Sequence, residues 1–80
     1  MKITVLAFGI SREIVGGPSL LLDLPDNSSV GQLLELLHQE FPELKKLRSL
    51  AVAVNTEYAE KEQLLSPQDE VVLIPPVAGG

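Results

Sequence analysis

PDNSSVGQLLELLHQEFP, residues 25–42, is the stretch on which the fold turns. Ser29 followed three residues later by Gln32 makes a capping box, in which each side chain satisfies a backbone donor that the first helical turn leaves without a partner. Val30, Leu33, Leu34, Leu37 and Phe41 then recur at helical spacing, so one apolar stripe runs along a helix of about three turns. Pro42 ends it, because the residue before a proline is pushed out of the helical region. The helix is amphipathic, and it needs a sheet to cover.

Working outward, the flanking segments supply that sheet. Residues 2–8 alternate, with Ile3, Val5 and Ala7 on one face and Thr4, Leu6 and Phe8 on the other. Residues 19–24 form a second strand-like run, joined to the first by Gly9, Gly16, Gly17 and Pro18, which predict a long loop, with at most a helical turn in Ser-Arg-Glu-Ile-Val. Beyond the helix, residues 43–48 suit a short helical turn and LAVAVN (50–55) a strand leading into a turn at Asn55-Thr56. A short strand is expected at Tyr58 and a turn at SPQDE (66–70), and Val71 to Ile74 is apolar on both faces, as a central strand is. The order strand, strand, helix, strand, irregular segment, strand predicts a two-layer α+β fold: a mixed four- to five-stranded sheet with one main helix on one face. The other face stays partly apolar, and Leu6 and Phe8 with Val72 or Ile74 are expected to form an exposed docking patch.

Eighty residues make one small domain, folded over residues 1–76 with an extended tail over 77–80, and they leave little room for a self-contained enzyme pocket. The chain has no cysteine and one histidine, His38, so neither a thiolate nucleophile nor a transition-metal site is expected. His38 reads as an ordinary helix residue, because a catalytic base also needs a nucleophile held in a cleft. Gly16-Gly17-Pro18 lacks the following Lys-Ser or Lys-Thr of a phosphate loop and reads as a turn. The net charge is −5, which disfavours nucleic acid and anionic membranes as partners. No apolar run reaches the ~20 residues of a membrane span and no signal peptide is visible, so a soluble, cytoplasmic protein is expected.

Attention then falls on IPPVAGG, residues 74–80. Pro75 and Pro76 cannot donate ladder hydrogen bonds, so they end the last strand and send the chain out in a stiff, extended conformation. Val77, Ala78, Gly79 and Gly80 then reach up to about 14 Å at roughly 3.3–3.6 Å per residue. Gly79 and Gly80 carry no side chains, so this tail is thin enough for a narrow channel that a Cβ would block, and the group it would deliver there is the α-carboxylate of Gly80. An accidental, frayed terminus is the alternative. The proline stop, the small fold and the missing active site favour a carrier.

The stretches VLAFGISREIVGG (5–17), LAVAVN (50–55) and PQDEVVLIPPVAGG (67–80), with the helix pattern between them, resemble the MoaD family, the small sulfur-carrier subunits of molybdopterin synthase. The resemblance covers essentially the whole chain. It implies a ubiquitin-like β-grasp fold and a non-catalytic role, in which Gly80 is adenylated by a MoeB-like E1 activating enzyme using ATP and Mg, then converted to a thiocarboxylate. Pro75, Pro76, Val77, Ala78 and Gly79 form the inserting tail, and the active site belongs to a MoaE-like large subunit, in a heterotetramer, acting on cyclic pyranopterin monophosphate in molybdenum cofactor synthesis. The carrier itself binds no cofactor and no metal. Phe8, Ile74 and Arg12 match partner-docking positions. Arg12 and Glu13 match the family's Arg-Glu pair, for which an ion pair in a surface loop is an adequate account. Ala78 departs from the Ser or Thr that many relatives carry. A carrier for thiamine or cysteine synthesis, a ubiquitin-like protein modifier, and a plain adaptor using only the sheet face remain open alternatives.

Overall fold

A computed structural model describes residues 1–47 and 49–76. Strand β1 (Lys2–Ala7) buries Ile3, Val5 and Ala7 and turns Lys2 and Thr4 outward, following its sequence alternation. It pairs antiparallel with β2 (Ser19–Asp23), Val5 opposite Leu20 and Ile3 opposite Leu22.

The connection between them is not the long loop that its glycines predict. It is a seven-residue helix, α1 (Gly9–Val15). Phe8 caps it in extended conformation, and Ser11, fully buried, donates from Oγ to the Phe8 carbonyl at 2.5 Å. At the other end Gly16 adopts φ +87°, and the N–H groups of Gly16 and Gly17 both donate to the Arg12 carbonyl. This is the left-handed glycine ending common to helices. Ile14 and Val15 pack against the main core, so α1 lies on the same side of the sheet as the long helix, against β1 and β5.

Helix α2 (Val30–Glu40) begins at the expected capping box: Gln32 N–H donates to Ser29 Oγ, and Ser29 N–H donates to Gln32 Oε1. It buries Val30, Leu33 and Leu37, with Leu34 and Phe41 half-buried at the flanks of the stripe. A 3₁₀ turn (Pro42–Lys46) follows and buries Leu44. Strands β3 (Ala51–Val54) and β4 (Glu57–Tyr58) form a hairpin whose two turn residues, Asn55 and Thr56, both have positive φ, 51° and 73°. That pair of left-handed residues is what the twist of a two-residue hairpin requires.

Strand β5 (Val71–Ile74) lies in the middle of the sheet, whose order is β2-β1-β5-β3-β4. The first and last strands run parallel and every other pair antiparallel, the mixed sheet of a β-grasp. Ile3, Val5, Val71 and Leu73 are fully buried beneath α2. Asn55 locks the turn before β5 to the hairpin: its Nδ2 donates to Asp69 Oδ1 and its Oδ1 accepts from Glu70 N–H, both at 2.9 Å. Asp69 Oδ2 also accepts the Ser66 N–H, and this bond, followed by the Asn55 bond, holds the Asp69 carboxyl below its ordinary pKa.

Candidate functional site

The face of the sheet without helices carries the exposed apolar surface. Pairing register sets Ser19, Leu6, Val72, Ala53 and Tyr58 side by side across all five strands. Directly paired residues share a face, so this row is continuous. Leu6 and Val72 are half-buried, Ala53 is covered by its neighbours, and Tyr58 is 75% exposed at the edge strand. A second row runs from Ile74 to Ala51. Phe8, one residue beyond the last β1–β5 pair and 55% exposed, falls next to Ile74. The structure therefore brings Phe8, Ile74, Leu6 and Val72 together as expected. It adds Tyr58, expected from the sequence only as part of a short strand: the two-residue turn at Asn55-Thr56 sets it opposite Ala53 and so on this face.

The parallel pairing of β1 and β5 brings their C-terminal ends to the same edge of the sheet. There the chain divides: after Ala7 it turns at Gly9 into α1, and after Ile74 it leaves as Pro75-Pro76. Pairing stops at Ile74, as the missing proline donors require. Pro75 is half-buried and packs close to Gly9, and Pro76 is exposed. Val77, Ala78, Gly79 and Gly80 lie outside the described residues.

Arg12 is exposed on α1, as are Ile10 in the same helix and its N-cap residue Phe8. Arg12 and Glu13 thus stand on a helix and not in a loop, and among the described residues the ion pairs within 4 Å are those of the Met1 ammonium with Asp23 and Asp26. The expected Arg12–Glu13 ion pair is not formed.

No group of metal-ligating side chains occurs among the described residues. His38 borders a shallow groove of about 350 Å³ between α2, the 3₁₀ turn and Lys61, lined also by Leu34, Glu35 and Lys45. No serine, threonine or cysteine lines it, so His38 has no nucleophile to activate there. No helix among the described residues is long and apolar enough to cross a membrane. What the described residues offer is an exposed apolar sheet face that runs up to the strand end from which Pro75 and Pro76 leave.

Comparison with known proteins agrees with this arrangement. The sequence pattern of the ThiS family matches residues 5–80. The chain belongs to the ThiS family. The molybdopterin synthase sulfur carrier subunit of Arabidopsis thaliana is 38% identical over 81 residues, covering all of this chain and 84% of the relative. Among solved structures, SAMP1 of Haloferax volcanii superimposes with a TM-score of 0.86 at 25% identity, with both chains fully covered. A protein–protein complex of subunits 1 and 2 of the molybdopterin-converting factor of Helicobacter pylori contains a chain that matches with a TM-score of 0.70 at 27% identity, again over the full length of both. The β-grasp fold and the sulfur-carrier resemblance read from the sequence both hold.

Proposed function

We propose that this chain is the sulfur-carrier subunit of a molybdopterin synthase, working in the cytoplasm. The observation that carries the reading is whole-chain identity of 38% to a curated sulfur-carrier subunit of that enzyme. The open sheet face and the tail root fit the role: one docks, the other delivers.

The chemistry follows from what a carboxylate lacks. Its negative charge repels a nucleophile, and oxide is a poor leaving group. A MoeB-like E1 enzyme using ATP and Mg overcomes both: a carboxylate oxygen of Gly80 attacks the α-phosphorus, pyrophosphate leaves, and an acyl adenylate results. A hydrosulfide-level sulfur nucleophile then adds to the Gly80 carbonyl carbon, and AMP departs with the former carboxylate oxygen. The thiocarboxylate so formed enters a MoaE-like large subunit, in a heterotetramer, and gives its sulfur to cyclic pyranopterin monophosphate; as the C–S bond breaks, water adds to the Gly80 carbonyl carbon and restores the carboxylate. Leu6, Phe8, Val72 and Ile74 hold the carrier on its partner; Pro75 to Gly79 span the distance to the active site; burial of the tail keeps water from the thioacid. The carrier supplies no acid or base of its own.

Reconstitution with the activating enzyme, ATP, a sulfur donor, the large subunit and the pterin precursor tests this. Deleting Gly80, or adding one residue after it, abolishes product while circular dichroism stays unchanged. Full product formation by either variant refutes the tail mechanism. A second reading, a protein modifier joined through Gly80 to lysines, draws support from the close superposition on SAMP1, a small archaeal modifier protein. High-molecular-weight conjugates lost with Gly80 would favour that reading.

A further inference from the structure

We infer that the free edge of β2, with the trough between β2 and α2, binds an extended segment of another protein. That segment carries apolar residues flanked by lysine or arginine, and it joins the sheet antiparallel as a sixth strand. The role stands whether or not Gly80 carries sulfur.

The backbone is the first observation. Strand β2 ends the sheet, paired with β1 alone. Leu24 N–H donates to the Met1 carbonyl and Ala7 N–H to the Pro18 carbonyl, at 2.8 and 2.9 Å. Bonded pairs alternate along an antiparallel ladder, so Leu20 and Leu22 bond to β1, while Ser19, Leu21 and Asp23 turn their N–H and C=O groups outward. No loop or cap bond among the described residues reaches Leu21. Edge strands are ordinarily blunted by proline, lysine or a bulge. Between Ser19 and Asp23 there is none of these, and the register runs without interruption.

The second observation is the surface beside that edge. A trough of about 370 Å³ separates β2 from α2, and Leu20, Leu36 and Phe41 line it, each only half-buried. Asp23 and Leu36 also line the next hollow along the helix, together with Glu35. On the opposite side of the strand Leu21 is 59% exposed. An added strand therefore gains apolar contacts on both of its faces as well as main-chain bonds.

Charge names the occupant. Asp23, Glu35 and Glu40 line the trough and its continuation, and no lysine, arginine or histidine does. The Met1 ammonium stands 3.6 Å from Asp23, yet that side chain remains 78% exposed, and Lys2, opposite it on β1, makes no ion pair with it. A second copy of this chain would bring the same carboxylates to the seam, like charge against like. A segment ending in lysine or arginine meets them with opposite charge.

The probe is a synthetic peptide, Lys-Lys-Val-Thr-Val-Thr-Val-Lys-Lys, titrated into the isotope-labelled chain by NMR. Directly paired residues share a face, so the valines enter the trough and the threonine amides bond the outward groups of β2. At saturation, exchange of the Ser19, Leu21 and Asp23 amides should slow about tenfold or more, and by more than at Leu20 and Leu22. Methylating both threonine nitrogens removes two main-chain bonds and should weaken binding about tenfold or more. Methylating two valine nitrogens, which face away from β2, should change it less than about threefold. A peptide with glutamate in place of lysine should bind about tenfold more weakly at low salt, and Glu40→Lys, an exposed change at the end of α2, should narrow that gap. Equal affinity of the two methylated peptides, exchange slowed elsewhere than at β2, or no binding of the lysine-flanked peptide overturns the inference. Slowed exchange of the same amides on concentrating the chain alone would mark self-pairing and overturn it as well.

Discussion

Replacing Phe8 by alanine separates docking from folding. Phe8 is 55% exposed beside Ile74 at the tail root. Phenylalanine offers about 200 Å² of surface, so about 110 Å² remains for a partner to cover. At about 25 cal/mol per Å² that contact is worth about 2.7 kcal/mol, or about 100-fold in Kd for the large subunit. Truncation also removes the part of Phe8 already buried in the fold, so a matched control is needed. Leu64, 61% exposed and bridged to Ser29 at the start of α2, is as exposed but lies away from the docking face. Titration calorimetry against the large subunit should find Phe8→Ala weakened about 100-fold and Leu64→Ala within about twofold of wild type, with both folded by circular dichroism. If Phe8→Ala binds within about threefold of wild type, or if the two variants weaken equally, the assignment of the open sheet face as the docking surface is wrong.

Other outcomes follow from the fold. Ser29→Ala breaks the capping box of α2 and should cost about 1 kcal/mol, lowering Tm by about 4–8 °C with sulfur transfer unchanged in the folded protein. Leu73→Ala, at a fully buried position in the central strand, should cost about 2–5 kcal/mol out of a total of about 5–15 kcal/mol, read by urea denaturation. The Asp69 carboxyl is held below its ordinary pKa by the Ser66 and Asn55 bonds, so its contribution is present above pH about 4 and is lost as pH falls through the lowered value. Asp69→Asn should therefore be less stable than wild type at neutral pH and show a flatter acid limb in pH-dependent thermal melts.

The parts legible in the sequence were those where one local signal had no competitor. The Ser29–Gln32 box, the Leu33 and Leu37 stripe and Pro42 specify α2 by themselves, and the alternation of Ile3, Val5 and Ala7 specifies β1. Helix α1 was hidden because it is seven residues long and bounded by Gly9 and by Gly16-Gly17, which read as loop. Only Ile14 and Val15 reach the core from it, too few to show a helical period, and its stability comes from tertiary packing and the Ser11 bond. The open apolar face was visible through Leu6, Phe8, Val72 and Ile74 because strand alternation alone separates the two faces. Tyr58 and Gly9 needed pairing register: one joins the patch through Ala53, the other meets Pro75 through the parallel pairing of β1 and β5. Such contacts join residues far apart in sequence, and no local pattern announces them.

If Gly80 carries sulfur as an acyl thiocarboxylate, intact-mass spectrometry of the chain after incubation with an active E1 enzyme, ATP, Mg and a sulfur donor detects it. The expected result is a gain of about 16 Da, the exchange of one oxygen for sulfur, located on the C-terminal peptide and absent when Gly80 is deleted. A chain whose mass stays unchanged beside an activating enzyme that charges its own carrier, or a gain located elsewhere in the molecule, would contradict it.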